Sequence, residues 1–148
     1  FLLTQRGVPL VYYGDEIGLP GSGDPDNRRP MKFGAALSAR EAALLEVVQK
    51  LGTARKASQA LQFGARATLL IEDELYVFQR DLAGDAAVIA INRGPARQLS
   101  LTLKGELARS AVRSYRDVLS GKTAMLGGAA PVGLNLEAAS AAVFVPAD

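Results

Sequence analysis

The chain contains no cysteine and no histidine. That removes disulfides, thiolate nucleophiles, imidazole general bases and Cys/His metal sites together. Acid–base chemistry must then come from carboxylates, lysine or tyrosine. One set of carboxylates lies near the start, Asp15 and Glu16, then Asp24 and Asp26, with Arg28 and Arg29 beside them. Asp15 and Glu16 are chain neighbours. Neighbours on an extended chain point to opposite faces, so this pair is poorly arranged to act on one bond. Asp24 and Arg28 combine a carboxylate that accepts forked hydrogen bonds with a guanidinium that donates them.

The elements around these residues can be read from pattern. Val8-Pro9-Leu10-Val11-Tyr12-Tyr13 is apolar on both faces and predicts a strand buried on both sides, with Pro9 tolerated near its start. Gly14 ends it. From Asp15 to Pro30 turn formers dominate, and a long loop after a buried strand is where α/β folds place function. Ser38 and Glu41 stand at capping-box spacing and predict a helix start. Leu44, Leu45, Val48 and Leu51 share one face of that helix, which is expected to run through Gly52 to about Ala57. Before all of this, Phe1 to Gly7 reads as the end of an apolar helix closing on Gly7.

Beyond Leu61 the period becomes two. Leu75–Arg80 and Ala86–Ile91 predict strands joined by the hairpin loop Asp81–Asp85. Leu99 to Lys104 alternates leucine with polar residues, as a half-exposed antiparallel strand does. Further strands are expected at Val112–Val118, Thr123–Leu126, Val132–Leu136 and Ala141–Val145, with Phe78, Tyr115 and Phe144 in the core. The organisation is strand, long loop and helix followed by antiparallel strands. One β–loop–α unit cannot close a core alone, so the pattern fits the last unit of a βα barrel with an appended β domain.

Hydrophobic residues are 49% of the chain and charged residues 22%, the profile of a folded globular protein and not of a disordered one. The net charge of +2 is carried by scattered basic residues, which argues against nucleic-acid binding. No apolar run reaches the roughly 18 residues of a membrane span.

Gly7-Val8-Pro9-Leu10-Val11-Tyr12-Tyr13-Gly14-Asp15-Glu16-Ile17-Gly18 resembles the eighth-strand region of the α-amylase family of glycoside hydrolases, whose usual form is G-x-P-x-x-Y-Y-G-x-E-x-G. Gly21 to Met31 is similar to the loop that follows in many bacterial members. Leu51 to Gly64 resembles the family's last barrel helix and its exit. The resemblance is dense over residues 1–64 and looser over 65–148. It implies a (β/α)8 barrel with a C-terminal antiparallel β-sandwich of Greek-key type. Residues 1–60 would be the incomplete end of the barrel and 61–148 the sandwich. It also implies retaining cleavage of α-glucosidic bonds by an Asp nucleophile and a Glu acid/base on earlier strands, so no catalytic residue is assigned here. The chain is accordingly read as a carboxy-terminal piece of a larger enzyme, inert alone.

In family members with a D-P-x-x-R loop, the Asp and Arg contact a sugar beyond the cleaved bond, which makes Asp24 and Arg28 the substrate-binding candidates. The competing reading is an Asp24–Arg28 ion pair that only folds the loop. Asp26 and Arg29 are expected to face solvent or neighbouring loops. Glu16 is read as bracing its loop. Tyr12 and Tyr13 could stack on a sugar ring, but core packing is the favoured reading for so apolar a strand. The expected partner of the parent enzyme is an α-glucan or maltooligosaccharide. No cofactor is implied for this chain, although some family members bind Ca²⁺. With the barrel absent, residues 1–60 are expected to rearrange or to be covered by a second copy. The alternatives are a carbohydrate-binding sandwich or a purely structural one.

Overall fold

A computed structural model describes residues 1–147. Short 3-10 turns at Leu2–Thr4, Asp15–Ile17, Asp26–Arg28 and Gly34–Ala36 precede helices α1 (Ala39–Ala57) and α2 (Gln59–Phe63). Strands follow: β1 (Ala65–Glu72), β2 (Leu75–Leu82), β3 (Asp85–Asn92) and β4 (Arg97–Leu101). Helix α3 (Gly105–Arg109) then leads to β5 (Arg113–Asp117), β6 (Thr123–Leu126), β7 (Val132–Leu136) and β8 (Ser140–Pro146).

The strands form a six-stranded sheet in the order β1-β2-β3-β8-β5-β6 and a separate pair, β4-β7. Every pairing is antiparallel. The chain crosses to the second sheet at β4, returns for β5 and β6, crosses again at β7 and ends with β8 between β3 and β5. The β4-β7 pair therefore faces the large sheet across a core.

The large sheet is covered on both faces, and strand alternation divides its side chains between two cores. Val77, Ala86, Val88, Ala90, Tyr115 and Phe144 face one way, toward Leu99, Leu101, Leu103, Leu107, Leu134 and Leu136. Phe78, Ala87, Ile89 and Val143 face the other way, toward Leu61 of α2 and Ala54 of α1. The three aromatic residues expected in the core, Phe78, Tyr115 and Phe144, are all buried.

Buried polar side chains join these layers. The Gln79 amide donates to the Lys104 carbonyl at 2.8 Å and accepts from the Lys104 N–H at 3.0 Å, acting as one more ladder rung from β2 toward α3. The Asp117 carboxylate accepts from the backbone N–H groups of Leu119, Ser120 and Val143, holding the turn after β5 onto β8. The Asp85 carboxylate accepts from Ser58 Oγ and the Ala60 N–H, fixing the start of α2 on β3. Gly64 follows α2 where a Cβ would lie 2.6 Å from the Ala60 carbonyl oxygen and 3.0 Å from the Asp81 backbone, so only glycine fits.

Helix α1 begins as its sequence predicts. Ser38 Oγ accepts from the Glu41 N–H at 3.3 Å, and the Glu41 carboxylate accepts from the Ser38 N–H at 2.7 Å. The helix continues through Gly52 to Ala57. Of its four expected apolar positions, Leu45, Val48 and Leu51 are half-buried, whereas Leu44 sits at the exposed border of the stripe, over Gly18.

Several expectations are corrected. Val8 to Tyr13 is not a strand: it has no neighbouring strand and joins neither sheet. Val8 is 98% exposed and Leu10 83%. An apolar run forms a buried strand only where partners occupy its edges, and none is within reach in this chain. Residues 1–7 form a 3-10 turn followed by bends, not a helix end, although Gly7 does take a positive φ of 97°. The β2–β3 connection is the two residues Ala83-Gly84, because pairing extends to Leu82 and Asp85. Strand β1 and helix α3 were not anticipated. Leu103 is buried as expected but lies beyond the end of β4.

Candidate functional site

The loop from Gly14 to Met31 is built from turn to turn. Gly14 and Gly18 bracket the first one with φ of 92° and 66°. At Gly14 a Cβ would also meet Leu19 at 2.8 Å, so both conformation and space demand glycine there. Asp15 and Glu16 serve this turn. The Glu16 carboxylate accepts from the Gly14 N–H at 2.7 Å, and the Asp15 carboxylate from the Tyr12 N–H at 3.2 Å. Glu16 therefore braces the loop as read from sequence, and neither carboxylate is presented as a catalytic pair. Ile17, the buried residue of the turn, packs under α1.

The second turn is organised by a residue that sequence reading had placed toward solvent or neighbouring loops. The Asp26 carboxylate accepts from the Ser22 N–H at 3.0 Å, Ser22 Oγ at 3.1 Å and Arg29 Nε at 2.7 Å. The Arg29 hydrogen bond, foremost among these contacts, holds the Asp26 carboxyl below its usual range. Asp26 and Arg29 thus pair with each other. The signal available was Ser22 four residues before Asp26, the spacing of a side-chain-closed loop. Tyr13 Oη donates to the Arg29 carbonyl at 3.2 Å. Tyr12 and Tyr13 lie on the surface with ring centroids 4.8 Å apart; lacking a sheet, they do not enter a core.

Asp24 and Arg28 stand at the outer edge of this framework. Arg28 Nε lies 3.0 Å from Asp24 Oδ1, with side chains 74% and 62% exposed respectively. The Asp24–Pro25 peptide is cis. The two predicted residues are thus brought together, on a loop whose shape is set by Asp26. So exposed a pair contributes about 0–1 kcal/mol to folding. It is open to a ligand that offers both donors and acceptors, such as a pair of hydroxyls. Beyond the loop, Lys32 Nζ reaches the Glu41 carboxylate at 2.8 Å, tying the loop exit to the helix cap.

A cleft of about 700 Å³ lies between α1 and the large sheet, lined by Glu46, Lys50, Asp85, Arg116 and Val145 among others. No aromatic ring lines it, and Glu46 and Lys50 pair with each other at 2.8 Å.

Comparison with known proteins gives these residues a context. No protein-family model matches the chain. A cyclomaltodextrin glucanotransferase of Niallia circulans is 38% identical over 122 residues, which is 82% of this chain and 16% of that protein. The chain is related to the α-amylase family of glycoside hydrolases. A second glucanotransferase, from Bacillus licheniformis, is 37% identical over the same share of each chain. Among solved structures, an Anoxybacillus α-amylase superposes over 99% of this chain and 30% of its own with a TM-score of 0.78 and 30% identity. The Geobacillus thermoleovorans α-amylase, determined with acarbose, covers 99% of this chain and 31% of its own, with a TM-score of 0.79 and 28% identity. The antiparallel sheets with few helices match the C-terminal β domains of these enzymes. The chain spans 16% of the length of the curated family members it matches.

Two arginines escaped sequence reading. Arg55, near the end of α1, is buried and donates to the carbonyls of Leu3 at 3.1 Å, Gln5 at 2.6 Å and Leu61 at 2.7 Å, and also to that of Gly7. Arg80 is buried in β2 and donates to the Thr4 carbonyl at 3.3 Å. The available signal was a charged residue at an inward position of an apolar strand, two residues after Phe78.

Proposed function

We propose that the chain is the carboxy-terminal part of a retaining α-glucan-acting glycoside hydrolase or transglycosylase and is catalytically inert alone. The observation that carries this is a likeness running through the loop and helix region as well as the sheets, with 99% of the chain covered by α-amylase structures. In this reading residues 1–60 close the catalytic barrel of the longer enzyme and residues 61–148 form its sandwich. The exposed apolar run Val8 to Tyr13 supports this, because it has the composition of a buried strand and lacks only neighbours.

Within this reading Asp24 and Arg28 contact a sugar of the α-glucan one unit beyond the cleaved bond. The pair's exposure and its independent support by Asp26 favour that role over loop folding. No cofactor is assigned to this part of the enzyme. The test is reducing-sugar release from maltooligosaccharides by the purified 148-residue chain. None is expected, and release at enzymatic rates would overturn the reading.

The sandwich itself acts as a structural buttress. Phe78, Tyr115 and Phe144 are all committed to its cores, and Phe144 and Tyr115 share the apolar layer facing β4 and β7. A titration with maltooligosaccharide showing saturable binding by residues 61–148 would instead support a carbohydrate-binding module. Without the barrel, the Val8–Tyr13 face is expected to draw copies of the chain together, which light scattering would detect as a mass above the 15.6 kDa of one chain.

A further inference from the structure

Arg80 is 1% exposed, yet its Nε and Nη2 have no hydrogen-bond partner among the described residues. Only Nη1 is used, donating to the Thr4 carbonyl at 3.3 Å. The unused atoms are chemically specific. Nε–H and Nη2–H form the side-on edge of the guanidinium, the two parallel donors that match the two oxygens of one carboxylate. A buried cation with that edge empty carries a large desolvation penalty.

The surroundings increase this penalty. Burial is the main force lowering the Arg80 pKa, and the charges that add to it, Arg55, Arg66 and Arg6, are all of its own sign. Arg55 is committed to four backbone carbonyls, and Arg66 Nη1 donates to Gln5 Oε1 at 3.3 Å. None of the ion pairs formed among the described residues involves Arg6, Arg55, Arg66 or Arg80. Four guanidinium groups thus converge on the junction between residues 1–7 and β2 without a carboxylate.

We propose that Arg80 is a socket for a carboxylate side chain from the catalytic barrel of the longer enzyme, a bidentate ion pair that locks barrel to sandwich. This rests on the reading of the chain as the end of such an enzyme. The position favours that source. Phe1 packs its ring 6.0 Å from Phe78 and 6.4 Å from Tyr76, which share the Arg80 face of β2, so residues leading into Phe1 would meet this face. A Glu or Asp there would neutralise the cluster and fill both orphan donors.

The experiment compares Arg80→Met in two polypeptides, the 148-residue chain and the longer enzyme encoded with its upstream sequence. Thermal unfolding is followed by circular dichroism. In the 148-residue chain, where the carboxylate is missing, Arg80→Met is expected to leave the midpoint unchanged or raise it by several degrees. In the longer enzyme it is expected to lower the midpoint by several degrees, because a buried carboxylate is then left unpaired. Arg80→Lys, which keeps charge but loses the fork, should fall between. Combining Arg80→Met with single Asp→Asn and Glu→Gln changes in the barrel should reveal one non-additive partner. Equal losses in both polypeptides, or an unfolded 148-residue Arg80→Met chain, would show that Arg80 is satisfied within this chain and would sink the proposal. An Arg80→Met effect that grows with protein concentration would assign the carboxylate to a second copy and also overturn it. Stabilisation of the wild-type 148-residue chain by formate but not by chloride, lost in Arg80→Met, would support the socket directly. An upstream sequence without a barrel would remove the underlying reading itself, a failure distinguishable from the others.

Discussion

The Arg55 guanidinium donates to the Gln5 carbonyl at 2.6 Å across 50 residues of chain. The same group reaches the carbonyls of Leu3, Gly7 and Leu61, so one side chain near the end of α1 gathers the chain start and α2. Backbone carbonyls in residues 1–7 have little regular structure to pair with, and Arg55 supplies donors in its place.

Replacing Arg55 by Ala should therefore release residues 1–7. Charge-assisted hydrogen bonds of this kind predict a loss of about 2–4 kcal/mol, shared with the packing of the side-chain stem. Urea unfolding would give the loss, and limited proteolysis should cut first within residues 1–13. A change below about 0.5 kcal/mol, the level of an ordinary surface substitution, would contradict this account.

The capping box of α1 predicts a pH dependence with a definite sign. Hydrogen bonding to Lys32, followed by the Ser38 N–H, pulls the Glu41 pKa from 4.5 to about 2. The folded pKa lies below the unfolded one, so its stabilisation is complete above about pH 4.5 and lost as pH falls toward 2. Carboxyl NMR titration of Glu41 should show the low midpoint, and Glu41→Gln should abolish that part of the acid transition. Ser38→Ala should cost about 1 kcal/mol at neutral pH.

Asp117 is buried and anchors a turn to the last strand through three backbone N–H groups. Asp117→Ala leaves all three donors unmet, and a loss of about 2–4 kcal/mol is expected. Asp117→Asn should cost less, because one acceptor oxygen survives. Hydrogen exchange at Val143 would report the local opening, and slow exchange retained in the Ala variant would be inconsistent with the role.

The proposed sugar contact of Asp24 and Arg28 can be tested apart from folding. Ala at either position should change the stability of the 148-residue chain by less than about 0.5 kcal/mol, since the pair is exposed. In the longer enzyme the same changes should lower kcat/KM for maltooligosaccharides about tenfold, the loss of roughly one good hydrogen bond to substrate. Asp26→Ala should disturb both measurements, because Asp26 shapes the loop. An intact kcat/KM in Asp24→Ala would remove the proposed sugar contact.

Local pattern was sufficient for much of the β region. Leu99, Leu101 and Leu103 are buried while Gln98, Ser100 and Thr102 are exposed, as the alternation required. The bounds of β6 and β7 were legible from runs of four or five residues between glycines and a proline. The Ser38–Glu41 cap was legible because both of its partners lie within one turn. These features depend on interactions between near neighbours, or on one face meeting any apolar surface.

Other features depended on what lies alongside. Val8 to Tyr13 has the composition of a strand, but a strand is completed by its neighbours, and here it has none. Asp26 and Asp24 are both acidic residues in one turn-rich loop, and only folding decided that Asp26 closes the loop while Asp24 faces outward with Arg28. Arg55 and Arg80 look like ordinary charges in sequence. Their burial against residues 1–7 arises from contacts spanning about half the chain or less, which no local period encodes. The sequence by itself determined the strand faces, the helix start and the family likeness of Gly7 to Gly18. The tertiary structure decided which carboxylates hold the backbone, which pair at the exposed surface, and that Arg80 keeps an empty bidentate edge, because hydrogen-bond partners are assigned by proximity in space.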